Sequence, residues 1–421
     1  MTGTGGRLVG STESGEHARS VADAVARRSY GKLVAFLAVR ARDVAAAEDA
    51  LSEAFAAALA DWPVHGCPAN PEGWLLTAAR RKLIDAARRR RSAIEAVPQL
   101  RLLAEGPAED AEIPDQRLAL MFVCTHPAIE AGIRAPLILQ AVLGLDAKTI
   151  ASAFLTSPAA MSKRLVRAKE KIRQAGIPFV VPERAELPGR LEAVLDAIYA
   201  AFAEGWTDPD GTDLARRDLT EEALFLARLL ANLLPEEPEA LGLAALMLYA
   251  EARRSARRTP EGEYVPLARQ DPALWDGPMI AAAEDFLRRA GTLGAIGRRQ
   301  LEAALQSAHV ERCRTGRNNW AEVVQLYDAL LALEGSPVVA LNRALAVAEV
   351  HGAAAGLAAM EELAADPRMA QYQPWWAARA DLLVRAGDRA QARHAYAIAI
   401  GLSRDPAVRD FLQGRLEMLP E

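Results

Sequence analysis

Apolar residues recur every three or four positions along nearly the whole chain, and no run of β-branched residues reads as a strand. Leu75, Leu76, Ala79, Leu83, Ala86 and Ala87 fall on one arc of about 120° at 100° per residue, so residues 70–91 predict a helix with one face on a core. Met161, Leu165, Ala168 and Ile172 draw the same stripe after Ser157-Pro158, a pair suited to an N-cap and first helical position. Ala, Leu and Arg dominate and aromatics are sparse, which adds helical propensity to the periodicity. The pattern predicts an all-α fold.

Three stretches interrupt it: "PVHGCPANP", the acidic "LLAEGPAEDAEIPD" and "GIPFVVPERAELPG". The last two read as linkers, which divides the chain into helical units of 17–91, 115–176 and 187–421, with 92–114 and 177–186 between them. The third unit contains a repeat. Placing Gly352 over Gly387 aligns "VALNRALAVAEVHGAAAGLAAMEELA" with "PWWAARADLLVRAGDRAQARHAYAIA", each an apolar helix, a Gly turn and a second apolar helix. The offset of about 35 residues is near the tetratricopeptide period, and Gly387, Ala390, Tyr396 and Ala399 fit its small and aromatic positions. Stacked helical hairpins are expected there, while Leu187 to Ala290 is helical with little periodicity.

Charge sharpens the picture. The net charge of −5 hides a split: 24 Lys and Arg against 19 Asp and Glu up to Val180, and 26 against 36 beyond it. A basic front suits nucleic acid, although such a run also suits a solvated face. No positive region followed by an apolar core opens the chain, and no apolar run approaches the roughly 18 residues of a membrane helix, so a cytoplasmic protein is expected. Cys67, Cys124 and Cys313 are too scattered for a disulfide framework. His65-x-Cys67 and Cys124-x-His126 lack the usual zinc spacing, so no metal or other cofactor is expected.

Seven of the twelve residues from Arg80 to Arg91 are Lys or Arg. On the helix drawn above, Thr77, Arg80, Arg81, Ile84, Arg88 and Arg91 share the arc opposite the apolar face, with Trp74 at its edge. A stripe of this kind follows a phosphate backbone, and an aromatic beside it can stack on an unpaired base. A solvated helix with Trp74 tucked into a seam is the competing reading. Further on, 146–154 predicts a short helix, Leu155-Thr156-Ser157 a turn, and the helix from Pro158 a reader. Ala159, Ala160, Lys163 and Arg167 project from its N-terminal half, the part that reaches base edges in a helix-turn-helix, and Arg164, Lys169, Lys171 and Arg173 flank it at phosphate-contact positions. An ordinary helical hairpin with a basic face remains open.

Three blocks in order resemble the extracytoplasmic-function group of bacterial RNA polymerase sigma factors, which retains regions two and four. "DVAAAEDALSEAFAAALADW" is similar to the helix that docks on the polymerase clamp, "WLLTAARRKLIDAARRR" to the promoter-melting helix, and "TIASAFLTSPAAMSKRLVRAKEKIR" to the region-four reader. The remainder resembles the extension of a subgroup with tetratricopeptide-like repeats. The resemblance implies a region-two bundle, a region-four helix-turn-helix and stacked C-terminal hairpins, and a promoter-specificity subunit with no active site. It implies that Glu48, Asp49, Ser52 and Glu53 bind the clamp, and that Trp74, Arg80, Arg81, Arg88 and Arg91 bind the minus-ten element. Ala159, Ala160, Lys163, Arg164, Arg167 and Lys171 then bind the minus-thirty-five element, and the acidic linker runs through the polymerase's RNA-exit path.

Chain differences from the group's usual residues fall at Ser52, Arg81, Thr149 and Ala160. Implied partners are core RNA polymerase, promoter DNA as duplex and as non-template single strand, and for the repeats either a protein partner or the sigma core itself, with regulation as their role. A helix-turn-helix regulator that does not replace sigma explains only the reader; an enzyme finds no nucleophile or metal signature, since the six His are scattered.

Overall fold

The computed structural model describes residues 7–90, 113–154, 156–183, 185–206 and 214–419. All regular elements there are helical apart from one isolated antiparallel bridge, Arg258 to Tyr264, and the all-α expectation holds. Two compact units form, residues 1–207 with 214–223, and 208–213 with 224–421.

In the first unit, α1 (Arg7–Ala41), α2 (Val44–His65) and α3 (Pro71–Arg90) pack on one another as a three-helix bundle. Arg42, with φ 52°, turns the chain between α1 and α2, and Asp43 caps α2 by accepting from the Ala46 amide at 3.0 Å. Asn70 starts α3, its Oδ1 taking the Gly73 amide at 3.0 Å. Leu75, Leu76, Ala79 and Leu83 are buried, as the stripe predicted, and Ala86 is half-buried.

Next come α4 (Arg117–Cys124), α5 (Ala131–Leu143), α6 (Ala147–Ala153) and α7 (Pro158–Gln174). Asp115 holds the first turn of α4, accepting from the Arg117 amide and guanidinium. Helices α4 and α5 lie against α1, and α7 touches α2 as well as α5 and α6. Met161, Leu165, Ala168 and Ile172 are all buried. Ser157 Oγ accepts the Ala160 amide at 3.2 Å, the expected cap.

Residues 177–186 do not behave as the expected linker. Ile177 and Phe179 are buried, and α8 (Leu187–Trp206) packs on α4 and α5. Arg190 donates to the Phe122 carbonyl at 2.8 Å, so the first unit continues through α8 and the division falls inside α9 (Leu214–Leu233). Apolar burial by α8 outweighs the loop-like composition that suggested a boundary at 177–186. The expected 92–114 linker falls, but for its last two residues, outside the described residues.

The second unit holds α10 (Pro238–Glu251), α11 (Gly277–Thr292), α12 (Arg298–Thr315), α13 (Trp320–Glu334), α14 (Pro337–His351), α15 (Ala353–Glu361), α16 (Gln373–Ala386), α17 (Arg389–Leu402) and α18 (Pro406–Glu417). From α12 onward each helix packs on the next. Gly352 (φ 87°) and Gly387 (φ 86°) occupy equivalent turns, after α14 and after α16, in conformations that favour glycine. Half-buried Leu357 and Trp376 pack against two successive core clusters, which joins neighbouring hairpins into a stack. Tyr396 and Ala399 are buried but Ala390 is exposed; Ala392 and Ala395 fill the small interior positions instead.

Candidate nucleic-acid interface

Helix α2 presents Asp49, Ser52 and Glu53 to solvent on one side of the bundle, with Glu53 paired to Lys82 of α3 at 3.0 Å. Glu48, expected beside them, is turned inward: its carboxylate pairs with Lys169 of α7, and the two side chains are only 14 % and 10 % exposed. Burial lifts the Glu48 carboxyl above its ordinary range; Lys169 pulls the other way, and Asp49 and Asp43 add to the lift.

On α3, Arg81 and Arg88 are exposed and Arg80 is half-buried beside Arg40, whose guanidinium stacks over Phe36. Arg88 has Asp85 at 3.9 Å. Trp74 is half-buried, edge-on to the buried Trp62 with centroids 5.5 Å apart, so part of its ring packs in the bundle and part reaches the surface. Glu72 accepts from Ser29 at 2.5 Å and from Arg28 at 3.2 Å, which ties the start of α3 to α1. Arg91 lies outside the described residues.

On α7, Ala159, Lys163, Arg167 and Lys171 are exposed and Ala160 is half-buried. Arg164 folds back to donate to the Gly132 carbonyl at 3.1 Å, with Glu130 at 3.7 Å, so the structure gives it a partner in α5 rather than leaving it outward. Arg173 is paired with Glu170. The flanking role expected of Lys169 is overturned: its ammonium faces α2, because an acid 121 residues away offers a buried partner that a helical wheel does not contain.

Helix α6 is set by Asp146, whose Oδ1 accepts the Lys148 and Thr149 amides, each at 2.8 Å. The Thr149 amide, binding the charged form, is the main reason its carboxyl lies below the ordinary range. A group depressed in the folded state stabilises above its unfolded pKa, and that stabilisation is lost as pH falls through the folded one. Asp146→Ala is expected to cost about 1 kcal/mol, with a difference from wild type that shrinks in acid; thermal melts at neutral pH and in acid check it.

Among the described residues no three or more His, Cys, Asp or Glu side chains gather at metal-binding range, and Cys124 is wholly buried. No helix among them is long and apolar enough to cross a membrane.

Residues 25–93, spanning the second half of α1 and all of α2 and α3, match sigma-70 region 2. That match supports a sigma-70-family factor with a role in transcription initiation. Over 387 residues the chain is 38 % identical to the uncharacterized protein R00370 of Rhizobium meliloti (strain 1021), covering 90 % of this chain and 91 % of that one. The chain belongs to the family of that protein. Residues 190–291 match a family of unknown function, DUF6596, which begins in α8 and ends in α11. No solved structure matches. Within the matched segment the exposed Asp49 and Glu53 lie on α2 and the exposed Arg81 and Arg88 on α3.

Proposed function

We propose that the protein is a promoter-specificity subunit of the extracytoplasmic-function type, working in the cytoplasm, which binds core polymerase through α2 and opens promoter DNA with α3. The observation that carries this is the sigma-70 region 2 match falling on helices that separate an acidic surface, Asp49, Ser52 and Glu53, from an exposed basic one, Arg81 and Arg88. Region four is assigned to α4–α7: the capped, Pro-initiated α7 offers Lys163 and Arg167 to the minus-thirty-five duplex, and Lys171 to its phosphates. Trp74 stacks on the exposed non-template strand with the part of its ring that the bundle leaves open. The tetratricopeptide-like hairpins of α12–α18 regulate this core or hold a protein partner.

Binding is electrostatic and positional; no bond is made or broken by the protein, and no cofactor is called for. Asp49→Lys tests the polymerase side. Reversing an exposed charge at an interface of complementary potential is expected to weaken core-polymerase binding about tenfold, while affinity for a duplex carrying the minus-thirty-five element stays within twofold. Unchanged polymerase affinity would remove α2 from the interface.

A further inference from the structure

Arg253 and Arg312, both in the second unit, carry charges that no acid among the described residues pairs with. Arg253, just past the end of α10, is only 8 % exposed. Its donors go to the Tyr249 carbonyl at 3.2 Å and the Gln306 side-chain oxygen at 2.5 Å, both uncharged. Arg312 of α12 lies with its Cζ 3.7 Å from the centre of the Trp320 ring and donates to Asn319 at 3.0 Å and to Nδ1 of His309 at 2.7 Å. Glu349, whose charge reaches Arg312, is itself bonded to Arg385 at 2.6 Å.

The two charges meet at His309 and Cys313, since both act on each of these side chains. Burial, then Arg253 and Arg312, take the His309 imidazole down to about 3, so it is neutral. Because Nδ1 accepts from Arg312, its proton is on Nε2, 3.5 Å from Cys313 Sγ. Burial pushes the Cys313 thiol up against the pull of the two arginines, so the sulfur stays protonated and does not balance them. The Trp275 ring stands beside His309 with centroids 6.3 Å apart, and its buried Nε1 has no hydrogen-bond partner among the described residues.

A buried charge is ordinarily paired, because taking it out of water costs more than uncharged hydrogen bonds return. Arg253 and Arg312 stand at the C-terminal turns of α10 and α12, and each helix end is equivalent to roughly half a negative charge. These ends offset about one of the two positive charges. We infer that Arg253, Arg312 and Trp275 form a binding site for a phosphate group, either the free ion or the end of a small phosphomonoester. The donors come from three elements: the end of α10, the last turn of α12 and the turn before α11. A carboxylate has two coplanar oxygens to offer two guanidinium forks and an indole N–H, whereas phosphate has an oxygen for each. Access is beside Cys313, which is half-buried, as Arg312 is. The site lies wholly in the second unit and does not rest on what α2 and α3 bind.

Cys313 is the reporter, in the full-length protein. Inorganic phosphate at ten times its dissociation constant is expected to slow iodoacetamide modification of Cys313 about tenfold, resolved by mass spectrometry, with Cys67 unaffected. Acetate at the same ionic strength is expected to leave both rates unchanged. Glycerol 3-phosphate is the second arm: protection by either phosphate supports the site, and the one that protects at lower concentration identifies the source. Arg253→Met and, separately, Arg312→Gln are expected to lose the protection, read within each variant as the ratio of rates without and with phosphate. Arg312→Gln, at the half-buried position, decides the matter if Arg253→Met folds poorly.

Equal Cys313 rates with and without both phosphates overturn the site. Protection that survives in Arg312→Gln overturns its assignment to these side chains. Equal protection by acetate overturns phosphate as the ligand class.

Discussion

Arg81→Ala with Arg88→Ala is expected to slow promoter opening on the order of a hundredfold, taking about 1.5 kcal/mol for each charge-assisted hydrogen bond removed, while core-polymerase affinity stays unchanged. Both side chains are exposed on α3, opposite the buried Leu75, Leu76, Ala79 and Leu83, so their removal leaves the bundle core untouched. Asp49 and Ser52, the α2 surface assigned to polymerase, are on another helix. The salt dependence adds a second signature: each phosphate no longer neutralised should reduce the slope of log affinity against log salt by about 0.7 for single-stranded DNA. Open-complex kinetics at several salt concentrations measure both. An equal loss of polymerase binding would mean that α3 supports the bundle rather than DNA.

A chain ending at residue 186 is expected to lose the cooperative unfolding transition of its first unit, because it removes α8. Leu191, Val194, Leu195, Ile198 and Phe202 are buried on that helix, which packs on α4 and α5. Each such side chain contributes roughly 1.5–3 kcal/mol when buried, and together they match the whole margin of about 5–15 kcal/mol that holds a domain folded. The Arg190 bond to the Phe122 carbonyl goes as well. A chain ending at 207 keeps α8 and is expected to melt cooperatively. Calorimetry of the two truncated chains decides it; a sharp transition in the shorter one would show that residues 177–186 separate independent units after all.

Helices α3 and α7 were legible because each packs through one stripe and leaves its opposite side in water, which writes a 3.6-residue period into the chain. Helix α10 falls in a stretch read as helical but without a period, since Ala240 to Tyr249 are buried without a break between α11 and α12, and a helix buried all round has no polar face to set one. The segment 177–186 has loop composition, yet Ile177 and Phe179 find a core that only the fold assembles. Lys169 and Glu48 make the same point for the site: each looks solvent-facing on its own wheel, and the pairing depends on α7 lying against α2. Gly31 was a local signal of that packing, a glycine inside α1 where the Val142 backbone of α5 comes close. The repeat alignment had the hairpin, Tyr396 and Ala399 right and Ala390 alone misplaced, because the α17 face turned inward is that of Ala392, Ala395, Tyr396 and Ala399.

Run-off transcription with purified core polymerase, with and without the full-length protein, on a promoter found by selecting open-complex DNA tests the central claim most directly. The account predicts a discrete transcript that requires the protein, with thymines of the non-template strand at the minus-ten position becoming reactive to permanganate. Duplex binding without polymerase recruitment, and with no reactive thymines, would contradict it and leave a DNA-binding regulator.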